Sequence, residues 1–193
     1  MARKPSGRPK KRKQLIVVDG VTEQIYLRII KQKLRGSSID VKKINPCGEQ
    51  AIEQGRREGE NEGLSKQVQY NHYYIVIDKD DLRECEYNRI LRDVNSYEDV
   101  TFIYSNEAFE VWLVAHLEKM TPGIIPRRQL NRRLSQFLNE EYDKTNEKHI
   151  RKIINATHHF IDTPKENTSS ISEISYTTQC TNFGTLLDAL QTV

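Results

Sequence analysis

Two apolar runs that each stop at an aspartate constrain this chain more than any other feature. LIVV at 15–18 leads into Asp19-Gly20, and YYIVID at 73–78 leads into Lys79-Asp80-Asp81. Runs this short, rich in β-branched and aromatic residues and closed by turn-forming residues, read as buried strands. The segments around them change period. From Thr22, a credible helix cap, Ile25, Leu27, Ile29, Ile30 and Leu34 predict an amphipathic helix ending near Gly36. Ile39 to Ile44 alternates as a second strand before Pro46 and Gly48 break the chain. Residues 49–70 are charged and carry Gly55, Gly59 and Gly63, a pattern that predicts a broken helix or two. A helix from Arg83 to about Val94, a strand from Val100 to Tyr104 and a helix from Asn106 to Glu118 follow.

Strands alternating with helices specify parallel βαβ units, and right-handed crossovers put helices on both sheet faces. After Pro122 the pattern turns helical, over Arg127 to Tyr142 and Glu147 to Phe160. Residues 162–182, rich in Ser, Thr, Pro and Asn, read as loop, and Thr185 to Leu190 as a closing helix. The expected division is an α/β core over 14–118, a mainly helical extension over 119–193 packed on it, and an arm over 1–13.

That arm, MARKPSGRPKKRK, holds seven basic residues and no acid. Without it, the formal charge of +3 becomes −4, from 23 basic against 27 acidic residues. A segment with like charges, two prolines and almost nothing to bury is expected to be disordered. No run approaches the ~20 apolar residues of a membrane span, and no apolar stretch follows the arm as in a signal peptide. Cys47, Cys85 and Cys180 are too scattered for a zinc ribbon or a disulfide framework. They read as reduced thiols, and the location as cytoplasmic.

In open parallel sheets the working site lies beyond the carboxyl ends of the strands. Asp19, Asp78 and Asp80 follow two such ends, and Glu23 lies one turn into the first helix. Crowded carboxylates raise one another's pKa values unless a cation compensates. Oxygen ligands with no thiol or imidazole in either loop favour Mg²⁺, with Mn²⁺ as alternative, over zinc. Asp19, Asp78 and Asp80 are therefore the candidate metal ligands. An extended D-x-D would turn both aspartates to one side and Lys79 to the other. Glu23 would complete the ion's shell or act as a general base through water; as an early helical acid it also suits the helix dipole.

His116, His158 and His159 read as core or capping residues, since none has a partner at metal-site spacing. Arg127, Arg128, Arg132 and Arg133 spread over one helix flank and, with Lys10, Lys11, Arg12 and Lys13 of the arm, are candidate phosphate contacts.

Three blocks of this chain together resemble the RloB family. Asp19, Gly20, Thr22, Glu23 and Tyr26 match an acid-Gly-x-x-Thr-Glu-x-x-Tyr pattern after a strand, although Asp19 stands where Glu is usual. Asp78 and Asp80 match its strand-borne D-x-D. Ser105, Asn106, Phe109, Glu110, Trp112 and Leu113 match its Ser-Asn-x-x-Phe-Glu-x-Trp-Leu block. Near the C-terminus Asn182-Phe183-Gly184-Thr185 replaces the usual Asn-Pro-Ser-Thr.

The resemblance implies a Toprim-like, Rossmannoid parallel sheet with a C-terminal helical extension. It also implies a metal-dependent nuclease acting on DNA or RNA, the effector of a bacterial anti-phage system working with an ATPase partner. Glu110 joins Glu23 as a candidate catalytic acid on the match to Phe-Glu. Ser105 and Asn106 would cap the following helix or orient a phosphate. With no separate tyrosine-bearing domain, hydrolysis is expected rather than strand transfer. With no G-x-x-x-x-G-K-[ST], any ATP hydrolysis falls to the partner. A catalytically weakened nucleic-acid-binding or regulatory subunit of that system is the alternative, a receiver-like phosphoacceptor the other, and a homo-oligomer is left open.

Overall fold

A computed structural model describes residues 11–34, 38–44, 50–66, 68–80 and 82–191. Strand β1 (Lys11–Val18), helix α1 (Val21–Lys33), β2 (Ile39–Lys43), α2 (Ala51–Lys66), β3 (Val68–Asp78), α3 (Glu84–Val94) and β4 (Val100–Asn106) form the alternating part. Helices α4 (Glu110–Ala115), α5 (Arg127–Leu138), α6 (Glu147–Ile154) and α7 (Asp162–Asn167), strand β5 (Cys180–Thr181) and helix α8 (Phe183–Gln191) follow. The sheet order is β2-β1-β3-β4-β5, parallel except for β5, which runs antiparallel to β4.

Successive residues of β1 enter opposite layers, which is why all of LIVV is buried. Ile16 and Val18, with Tyr74, Val76 and Ile103, pack under α1, α4, α5, α6 and α8. Leu15 and Val17, with Tyr73, Ile75 and Phe102, pack under Ile52 of α2 and Tyr87 and Ile90 of α3. Full burial of one such side chain is worth roughly 1.5–3 kcal/mol relative to exposure. The expected α/β sheet with helices on both faces is what the chain forms. Among the described residues, no helix is long and apolar enough to cross a membrane.

Several boundaries differ from expectation. Strand β1 begins at Lys11, because Lys11, Arg12 and Lys13 pair with Val68, Gln69 and Tyr70 and the Lys13 ammonium meets Asp40 at 2.9 Å. The arm is therefore shorter than 1–13; Lys10 and the residues before it lie outside the described residues. Helix α2 is continuous, since its glycines rest on the sheet: a Cβ at Gly59 would meet Tyr73 and Leu15, and one at Gly63 the Val68 carbonyl at 2.9 Å. Helix α5 stops at Asn139, in the left-handed conformation at φ 60°, four residues past Ser135 whose carbonyl it caps. The 162–182 stretch is not wholly loop. It holds α7, a 3₁₀ turn at Ser169–Ile171, and β5 on the sheet edge.

Candidate active site

The switch point of this strand order lies between β1 and β3, where connections leave in opposite directions. The register pairs Val18 with Val76, so β1 runs out into Asp19 beside the end of β3 at Asp78. A cavity of about 390 Å³ opens there. Asp19, Glu23, Asp78, Asp80 and Glu110 all line it, with Lys43, Arg127 and Lys144 among the other lining residues. Five acids against three basic side chains leave a formal deficit of two charges when all are ionised.

Asp78 is the deepest ligand candidate. One of its oxygens accepts the Phe109 amide at 2.8 Å, satisfying a free donor at the start of α4. The other oxygen and Glu23 Oε2 are buried and receive no hydrogen bond from any third group; the two carboxyls face each other, so a proton on one is shared with the other. Glu23 is only 3% exposed. Its carboxyl folds back over Gly20, where any Cβ would collide with it. Gly20, at the head of α1, leaves the room into which the Glu23 carboxyl folds. Asp80 reaches the cavity by a route other than the expected extended D-x-D. Strand β3 ends at Asp78, and Asp80 stands in a turn at φ 29°, a conformation aspartate tolerates better than most residues.

Burial is the first cause of the electrostatic strain. It raises Asp19 to about 6, with Asp80 adding to the effect and the nearby amides and Lys43 opposing it. It raises Glu23 to about 8, with Asp19 and Glu110 as the charged contributors. Asp78 is pushed well above the usual carboxylate range by burial and then by Glu23, Asp19 and Glu110. Around neutrality, this cluster keeps protons unless a cation replaces them.

Several residues absent from the expected set complete the cavity. Lys43 pairs in register with Val18, one position before Asp19, a proximity that only the strand pairing reveals. Tyr142, freed from helix because α5 ends early, does not line the cavity but backs it: its hydroxyl donates to Glu110 Oε1 at 3.4 Å. Thr22 does not cap α1 but donates to the Lys144 carbonyl at 3.2 Å, bringing that loop to the rim. Asn131 also lines the cavity and has a buried, unpartnered amide oxygen.

The basic candidates separate. Arg127 lines the cavity, paired with Asp80 and lying 3.8 Å from Asp78 and 3.9 Å from Glu110. Arg128 and Arg132 are exposed outside it, and Arg133 is paired with Glu118. Lys11, Arg12 and Lys13 sit at the amino end of β1, so six residues of strand, about 20 Å, separate Lys13 from Asp19.

Ser105 and Asn106 do not cap α4; their side chains bond the sheet edge and the loop before β5. Ser105 bonds Thr181 across β4–β5 at 3.0 Å, and the Asn106 amide donates to the carbonyls of Ser175, Tyr176 and Thr178. His116 is buried and bonded to Tyr26 at 3.1 Å, whereas His158 and His159 lie beyond the end of α6 and are exposed rather than core. Cys85 and Cys180 are free thiols; Cys47 lies outside the described residues.

Among the described residues, no three His, Cys, Asp or Glu side chains are gathered as a ready cation cage. The donor chemistry nevertheless fits a hard divalent ion: carboxylate oxygens only, two of them buried and bonded by no third group. Fold and site together define an α/β protein with a carboxylate crevice at the switch point of its parallel sheet. The family model described as RloB-like protein matches residues 14–190, and the chain belongs to that family. Comparison with curated proteins and with solved structures returned no match.

Proposed function

We propose that this chain is a divalent-cation-dependent nuclease, hydrolysing phosphodiester bonds in DNA or RNA on a Toprim-like scaffold. The observation that carries the reading is the pair of buried carboxyls, Glu23 and Asp78, each with an oxygen that no third group bonds, within a five-acid cavity. Asp19, Asp78 and Asp80 would hold Mg²⁺ or Mn²⁺, with Asp19 reaching one methylene less far than a glutamate. The ion, when bound, supplies Lewis-acid stabilisation of a phosphoryl oxygen. Glu23, raised to about 8 by burial while no cation is bound, would give up its proton as the ion arrives and then complete the ion's shell or act as a general base through water. Glu110 is oriented by the Tyr142 hydroxyl. Lys43 and Lys144 at the rim, and Arg128 and Arg132 on the exposed flank of α5, would draw in the phosphate backbone without reading sequence.

Membership in the RloB-like family supports placing the chain in bacterial anti-phage defence, where an ATPase partner would hold the nuclease inactive until infection. Were an ATPase encoded beside this chain, its coexpression would suppress toxicity; unchanged toxicity would reject that regulation. For the nuclease itself, labelled DNA and RNA panels are incubated with Mg²⁺ or Mn²⁺, comparing wild type with Asp78→Asn. Metal-dependent product is expected, falling at least about 100-fold in the variant.

Retained nucleic-acid binding with no product on any substrate would favour the non-cleaving, regulatory subunit, a reading that the shortened Asp19 supports. The receiver-like reading shares an acid after β1 and β3. It is disfavoured by the burial of Asp78 and the commitment of one of its oxygens to Phe109. Labelling of Asp78 by acetyl phosphate would restore it.

A further inference from the structure

We propose that Arg127 is a displaceable counter-cation, occupying the mouth of the acid cavity until a divalent ion takes its place and then free to grip phosphate. The inference rests on the metal-dependent reading above and concerns how that site is kept closed.

Nothing on its own helix favours the position of this arginine. Arg127 is the first residue of α5, directly after Pro126, where the helix dipole opposes a positive charge and no acid stands in the first turn. What holds it is the acids of other segments. Its guanidinium pairs with Asp80 from the turn after β3 and lies 3.8 Å from Asp78 and 3.9 Å from Glu110 of α4. Those contacts make it the cation that meets three of the five acids, at the mouth, where Asp80 is itself 47% exposed.

The fit is incomplete in an informative way. The Arg127 side chain is 39% exposed, whereas those of Asp78 and Glu110 are 8% and 6% exposed. The guanidinium, broad and planar, stays at the mouth. Asp78 Oδ1 and Glu23 Oε2, both on residues more than nine-tenths buried, receive nothing from the guanidinium or from any other third group. A bare ion is small enough to reach those oxygens, and it competes with Arg127 for Asp78 and Asp80. Two cations sharing one set of carboxylates bind antagonistically, and the antagonism is reciprocal. Once released, the guanidinium stands beside the ion's position with its donor fork free. A phosphate matches that fork with two parallel hydrogen bonds.

The test is calorimetric titration of the full chain with Mn²⁺, for wild type, Arg127→Met, Arg128→Met and Asp78→Asn. Arg127→Met should bind Mn²⁺ about tenfold more tightly, within the roughly 5–150-fold span of common coupling energies. Arg128→Met, one residue along and outside the cavity, should stay within about twofold of wild type. Asp78→Asn should lose the binding. If Arg127→Met does not fold, the arginine Nε resonances of the wild type, assigned with Arg127→Lys, give the same answer: Mg²⁺ should shift the Arg127 signal and leave Arg128 unchanged.

Equal or weaker Mn²⁺ affinity in folded Arg127→Met, or an Arg127 signal indifferent to Mg²⁺, makes Arg127 a fixed strut and overturns the proposal, while the cation site stands. No Mn²⁺ binding that depends on Asp78, in wild type or variant, removes the cation site and with it the proposal.

Discussion

Glu23 shows what burial does to a single carboxyl group. It is 3% exposed, shares its cavity with four other acids, and has one oxygen that receives no hydrogen bond from any group but the Asp78 carboxyl. Its pKa rises from 4.5 to about 8, first through burial and then through Asp19 and Glu110. Between those values the folded state keeps a proton that the unfolded chain has already released. Stability contributed by that protonation is complete below about 4.5 and declines as pH rises to about 8. In chelator, denaturation midpoints of the wild type should therefore fall across this window. Glu23→Gln, permanently neutral, should lose much of that slope and be the more stable protein at its upper end. A midpoint that climbs with pH in wild type, or an unchanged slope in the variant, would contradict this account. An early acid in a helix is visible in sequence; its enclosure by Asp19, Asp78 and Glu110 is not.

Helix α2 makes the same point about an element. Three glycines four apart among charged residues look like helix breakers, each costing about 1 kcal/mol against alanine. In the fold they form the contact face, and their missing side chains let the helix lie on Leu15, Val17, Tyr73 and Ile75. The aromatic residues of β3 take up the space the glycines vacate. Gly59→Val should cost about 1–3 kcal/mol by overpacking against Tyr73 and Leu15. Leu64→Ala, on the exposed side of the same helix at 73% exposure, should stay within about 0.5 kcal/mol. Urea unfolding of the two variants checks the contrast, and similar costs at both positions would refute it. Helix α5 was legible from Leu130, Leu134 and Leu138, but its end was not. Asn139 adopts a left-handed cap, and that early stop delivers Tyr142 to Glu110.

For the molecule as a whole, the extension is structural as much as additional. Leu130, Leu134, Ile150, Ile153, Phe183 and Leu186 share one hydrophobic core with Ile16, Tyr26 and Trp112. Asn182 completes the junction: its side-chain oxygen accepts the Tyr104 amide at 2.7 Å and its amide donates to the Phe102 carbonyl at 2.9 Å. It thereby continues the β4 ladder where β5 stops. Asn182→Ala leaves both backbone groups without partners and should cost about 1–3 kcal/mol. Thermal unfolding should show one cooperative transition, lowered as a unit. A separate early transition for the extension would show that the two parts unfold independently.

Much of the architecture was written locally. Apolar runs with period two, amphipathic helices with period 3.6 and aspartates at strand ends depend on neighbours within a few residues, so LIVV-Asp19 and YYIVI-Asp78 could be placed from the chain alone. Which strands lie side by side depends on contacts far apart in sequence. Pairing of Val18 with both Val76 and Lys43 put an acid, a second acid and a lysine at one edge. Likewise, Arg127 reads as one of four similar arginines until the packing of α5 against α4 places it alone among the carboxylates. Residue type set the charges available; long-range packing decided which of them would meet, because burial and distance, not order in the chain, set the strength of an ion pair.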